Sequence, residues 1–131
     1  MNNHYSSNNS SYNDYLIQTD VEKLMVKLGR QLEEGTEDFS KLAEEKAIAE
    51  AEYKERYWTA LVRQIDSEGS GMYRLTAPQK EARASLAARE EFRRFKLMEA
   101  REKAAQQFLI TIRARLDSLR TIAANVRASG G

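Results

Sequence analysis

The stretch Leu109-Ile110-Thr111-Ile112-Arg113-Ala114-Arg115-Leu116-Asp117-Ser118-Leu119-Arg120-Thr121-Ile122-Ala123-Ala124-Asn125-Val126-Arg127 decides the fold. Leu109, Ile112, Leu116, Leu119, Ala123 and Val126 recur at steps of three and four without a miss. On a helix of about 3.6 residues per turn such positions form one stripe. Leu109, Leu116 and Ala123 take the first core position of a heptad and Ile112, Leu119 and Val126 the second, which is a coiled-coil seam. Arg113, Arg120 and Arg127 then share the position beside the seam.

A seam needs a facing stripe, and the first half of the chain supplies one. Val21, Leu24, Met25, Leu28 and Leu32 repeat with the same spacing. Thr19-Asp20-Val21-Glu22 has the form of a capping box, so a helix is expected to start at Thr19. Gly35 interrupts the pattern and is expected as a kink or a short turn. The helical pattern resumes at Phe39 and runs to about Ser67, with Leu42, Ala49, Tyr53, Tyr57, Ala60 and Leu61 on its candidate buried side. Ser67-Glu68-Gly69-Ser70-Gly71 is the strong turn signal in the middle of the chain, because glycine is a poor helix former. Thr76-Ala77-Pro78-Gln79 is a second capping box with proline in the first turn, and one helix is expected from there to about Ala128. Residues 1–18, rich in Asn, Ser and Tyr, offer too little apolar surface to offset ordering and are expected as a disordered tail. The fold class that follows is all-α: a long antiparallel helical hairpin over residues 19–131, as a single domain behind that tail.

Charge supports the same pairing. The chain of 131 residues carries 21 Lys and Arg against 20 Asp and Glu, which excludes a strongly basic nucleic-acid binder as well as an acidic solvating protein. Residues 1–53 hold 5 bases and 11 acids, whereas residues 54–131 hold 16 and 9. A hairpin turning near residue 72 brings together residues whose numbers sum to about 144. That register sets Leu116 near Leu28, Ile112 near Leu32, Leu119 near Met25 and Ala123 near Val21. It also sets Arg113 by Glu33 or Glu34, Arg101 by Glu44 or Glu45, and Arg94 by Glu50. Exposed pairs of this kind contribute about 0–1 kcal/mol each, so they select register more than they add stability.

Catalytic chemistry finds little purchase. The one histidine, His4, lies in the tail without an orienting partner, and there is no cysteine. There is no phosphate loop, dinucleotide fingerprint or His-Glu-x-x-His zinc motif. Glu44-Glu45 and Glu90-Glu91 are neighbours that point about 100° apart on a helix. The expectation is a non-enzyme with no metal and no cofactor. No apolar run is long enough to span a membrane, and the N-terminus lacks the build of a secretory signal, so a cytoplasmic location is expected. Two helices form a thin layer with no enclosed core, so self-association is expected, and Phe92, Phe95, Phe108 and Trp58 either line such contacts or pack inside the hairpin.

Near the hairpin tip, residues 54–96 hold ten bases against six acids, interleaved with Tyr57, Trp58 and Tyr73. Cations for phosphates and rings for bases are what sequence-tolerant binding of single strands requires. The candidate nucleic-acid-binding residues are Lys54, Arg56, Arg63, Arg74, Lys80, Arg83, Trp58 and Tyr73. The plain alternative is that these residues only solvate two helices.

An acidic helical first half, a glycine-bearing turn, and a closing helix with Arg115-Leu116-Asp117-Ser118-Leu119-Arg120 and Asn125-Val126-Arg127 resemble small phage proteins encoded near recombination genes. In size and helical order the chain is similar to the UvsY recombination mediators of T4-type phages, over roughly residues 40–128. The resemblance implies a homo-oligomeric ring, such as a heptamer, in the cytoplasm of a bacterial host. It further implies binding of single-stranded DNA and partnership with a recombinase or single-strand binding protein. The family's basic pair lies on the first long helix as Lys-x-Arg; Lys54-Glu55-Arg56 has that form, while Arg63 stands nearer the turn, as the family's pair does. The Asn/Ser-rich start departs from the family. The rival reading is a structural or adaptor coiled coil that joins protein partners and ignores nucleic acid.

Overall fold

A computed structural model describes the backbone of residues 6–67 and 74–130, and the side chains over 18–65 and 74–129. Three helices account for nearly all of it: α1 (Ser6–Ser67), α2 (Ala77–Ala87) and α3 (Arg89–Gly130). No strand occurs among the described residues, and α1 and α3 run antiparallel, giving the helical hairpin that the two facing stripes require. The turn signal at residues 68–71, together with Tyr73 and His4, lies outside the described residues.

By packing, the chain divides into two units, Met1–Asp38 with Gln106–Gly131, and Phe39–Ala105. In the first unit, Leu28, Ile112 and Leu116 form a buried cluster, with Met25, Leu32 and Leu119 packed around it. Val21, Leu109 and Ala123 are buried as well. These are the residues that the register summing to about 144 places together, so apolar spacing by itself set the pairing of this unit.

Gly35 makes no turn, because α1 continues through it without a break. A Cβ on Gly35 would stand 2.9 Å from Leu109 Cδ2 and 3.3 Å from Phe108 Cε1. The glycine is there so that α3 can come close, not so that the chain can turn. Gly29, on the same helix, would place a Cβ with nothing within 4 Å. The helix is already present upstream of Thr19, from Ser6 among the described residues. Of the expected tail, residues 1–5 lie outside the described residues.

In the second unit the small residues Ala49, Ala60, Ala84 and Ala88 are the buried ones, and rings take the volume that leucines fill in the first. Tyr53 lies against Phe92 at 5.2 Å and stacks nearly parallel to Phe95 at 6.2 Å. Leu42, Tyr57 and Leu61 are half-buried, as their spacing predicts. The ion pairs Lys46–Glu102 at 3.4 Å and Arg94–Glu52 at 3.4 Å cross between helices. Arg94 therefore takes Glu52 in place of Glu50, which pairs along its own helix with Lys54 at 3.0 Å. Among the described residues Arg101 does not pair with Glu44 or Glu45, nor Arg113 with Glu33 or Glu34. Long solvated side chains gain too little from such contacts to be held in one geometry.

The second capping box forms as its residues dictate. Gln79 N donates to Thr76 Oγ1 at 3.3 Å and Thr76 N donates to Gln79 Oε1 at 2.9 Å, with Pro78 in the first turn. The helix expected to run unbroken from there is interrupted at Ala88, whose φ of −103° and ψ of 13° leave the helical basin. The ladder survives on both sides, with Ala88 N donating to Ala84 O at 3.0 Å and Phe92 N to Ala88 O at 2.9 Å. Alanine is the best helix former, so nothing local announces this break; it falls where Ala84 and Ala88 are both wholly buried.

Gly29→Ala is expected to raise the unfolding free energy by about 0.5–1 kcal/mol, the usual gain from replacing a helical glycine in open space. Gly35→Ala should gain less or lose stability, because Leu109 and Phe108 must move aside. Leu116→Ala should cost about 2–4 kcal/mol and Val26→Ala, on the open surface, less than about 1. Urea unfolding followed by circular dichroism separates these four.

Candidate nucleic-acid interface

The residues nominated for phosphate and base contact belong to the second unit, and helix geometry sorts them into separate faces. On α1, Lys54 and Trp58 are one turn apart and share a side. Arg56 and Arg63, seven residues apart, share another that lies roughly 140–200° round the helix. Arg56 lines a cleft of about 340 Å³ whose other walls are Glu52, Glu55, Thr59 and Glu91. Its surroundings are acidic, and one oxygen of Glu91 is buried there without a hydrogen-bond partner. Arg74 is exposed in the segment before α2, and Lys80 and Arg83 are neighbours on α2 itself. Tyr73 lies outside the described residues. The four nominated positions on α1 therefore do not share one face.

What the structure does assemble is a run of rings. Trp58 meets Tyr57 edge-on at 5.5 Å, Tyr57 meets Tyr53 at 6.2 Å, and Tyr53 leads on to Phe92 and Phe95. The Lys96 ammonium sits 5.6 Å from the Phe92 ring centre and 5.4 Å from that of Phe95. Trp58 stays 58% exposed and Phe92 41%, so the run is packed at its middle and open at its ends. Tyr53, Tyr57, Phe92, Phe95 and Lys96 were absent from the nominated set. The available signal was spacing: Tyr53 and Tyr57 are one turn apart, as are Phe92 and Lys96, and the hairpin register places Tyr53 opposite the phenylalanines.

Several cations on this surface already face carboxylates. Lys54 pairs with Glu50, Arg93 with Glu90 at 3.2 Å, and Lys96 with Glu99 at 3.4 Å. Any polyanion docking here competes with those contacts, which are weak and screened by salt. Among the described residues no group of three or more His, Asp or Glu side chains is placed to hold a metal, and no helix is long and apolar enough to cross a membrane.

Comparison with known protein families, curated proteins and solved structures finds no match for the chain.

The different embedding of the rings has a measurable consequence. Tyr53→Ala, which removes three ring contacts, should destabilise the fold by about 2–3 kcal/mol, whereas Trp58→Ala, at an open end, should cost less than about 1. Thermal unfolding by circular dichroism reads both.

Proposed function

We propose that this protein is a non-enzymatic accessory factor of phage-type recombination that binds single-stranded DNA as a homo-oligomer. The observation that carries the reading is the run of rings from Trp58 to Phe92 with Lys54 and Lys96 alongside. A base stacks on an open ring whatever its identity, and an ammonium nearby neutralises the phosphate that follows, which together give sequence-tolerant binding. The resemblance in size and helical order to recombination mediators supports the same role. That role includes action in the host cytoplasm and contact with a recombinase or a single-strand binding protein. Repetition of a weakly basic face around an oligomer multiplies contacts that one copy makes poorly.

A second reading is favoured by a separate feature. Trp58, Val62 and Ile65, spaced by four and three on α1, are all more than half exposed. An apolar stripe on an exposed helix face is also how an adaptor docks a partner helix. In that reading the stripe takes protein and the cations merely solvate it.

Trp58 is the sole tryptophan, so its emission reports directly on this face. Titration with an oligothymidylate should quench it at about 50 mM salt and do so far less at about 200 mM, with affinity falling steeply on a log–log plot. Lys54→Ala with Lys96→Ala should flatten that slope by about 1–1.5, while Arg56→Ala with Arg63→Ala on the other side should change it little. Absence of quenching at low salt, or binding indifferent to salt, rejects the DNA reading in favour of the adaptor.

A further inference from the structure

The second unit carries a further cleft, of about 190 Å³, walled by Tyr53 of α1, Ser85 of α2, and Arg89 and Phe92 of α3. Ser85, Arg89, Phe92 and Lys96 follow one another at steps of four, three and four, which makes them one stripe along the helix. The break at Ala88 does not disperse it, since Ser85 and Arg89, on either side of the break, wall the same cleft. Phe92, an open ring packed against Tyr53 at 5.2 Å, therefore has a cation one turn away on each side, Arg89 before it and Lys96 after it. The contacts these cations already make, Arg89–Glu90 at 3.7 Å and Lys96–Glu99 at 3.4 Å, lie on the surface and are weak enough for a phosphate to displace. The Ser85 hydroxyl is exposed and, among the described residues, has no hydrogen-bond partner.

The cleft beside Arg56 opposes a phosphate, because Glu52, Glu55 and Glu91 stand on its walls and no ring does. The walls of the Phe92 cleft carry no acid, and their one charge is a guanidinium. A ring face takes a base, a guanidinium takes a phosphate, and a free hydroxyl donates to a phosphate oxygen. We infer that this cleft is a nucleotide subsite of the strand-binding surface, in which Phe92 stacks one base, Arg89 and Lys96 hold the phosphates on its two sides, and Ser85 donates to the phosphate at Arg89. The inference rests on the single-strand reading proposed above and adds to the base position at Trp58 a second one at the other end of the run of rings. Arg89, which was not among the nominated residues, is then the arginine that shares a cleft with an open ring, as Arg56 does not.

Fluorescence anisotropy on the full chain at about 50 mM salt, with a labelled oligothymidylate and an abasic strand of the same length, separates the two kinds of contact. Arg89→Ala should weaken binding of both strands and flatten the salt dependence by about 0.7 on a log–log plot. Phe92→Leu, which keeps an apolar side chain against Tyr53, should weaken binding of the oligothymidylate by about fivefold or more and leave the abasic strand unchanged. A purely structural role of Phe92 would move both strands alike. Circular dichroism checks that each variant keeps its helicity. Should Phe92→Leu fail to fold, Arg89→Glu decides, because that side chain is exposed: it should weaken both strands more than Arg89→Ala does. A wild-type chain that binds the oligothymidylate as tightly after either Arg89 substitution, or in which Phe92→Leu weakens both strands or neither, overturns the subsite and leaves the single-strand reading standing. A wild-type chain that binds neither strand overturns both.

Discussion

The contact on which the first unit depends is the meeting of Leu28 with Ile112 and Leu116, all 5% exposed or less. Neither segment of helix has another large apolar surface to bury within the chain, so the fold has one hydrophobic seam and little redundancy. The ring formed by Met25, Leu32 and Leu119 extends it, and Gly35 lets Leu109 close on its flank. A glycine that costs helix propensity is retained there because a side chain would hold the helices apart. Close approach, and with it the contact area of the seam, is worth more than the lost propensity.

The second unit solves the same problem with different residues. Alanine occupies the four buried positions, so the volume between helices is filled from the side by Tyr53, Phe92 and Phe95. Rings anchored in this way are rigid, and rigidity is what a stacking platform needs: the end ring, Trp58, is presented to solvent by Tyr57 behind it. The proposed function therefore draws on the exposed end of the same set of side chains that packs this unit.

Charge plays a smaller structural role than its asymmetry suggests. Lys46–Glu102 and Arg94–Glu52 cross the second unit, while among the described residues the arginines beside the seam of the first find no acid on the facing helix.

The seam and its register were legible in the sequence because apolar periodicity is a local property and two matching stripes admit few pairings. The cap at Thr76 and the half-buried positions of Leu42, Tyr57 and Leu61 were legible for the same reason. Charge counting located a basic region but not a patch, since residues close in number, such as Lys54 and Arg56, point to different sides of one helix. The role of Gly35, the break at Ala88 and the run from Trp58 to Lys96 were set by tertiary structure. Each depends on what another segment places alongside: Leu109 over Gly35, buried surface around Ala88, phenylalanines against Tyr53. The sequence by itself determined two helical arms and the face each turns inward, whereas distance of approach and the assembly of side chains from different arms belong to packing, which has no local signature.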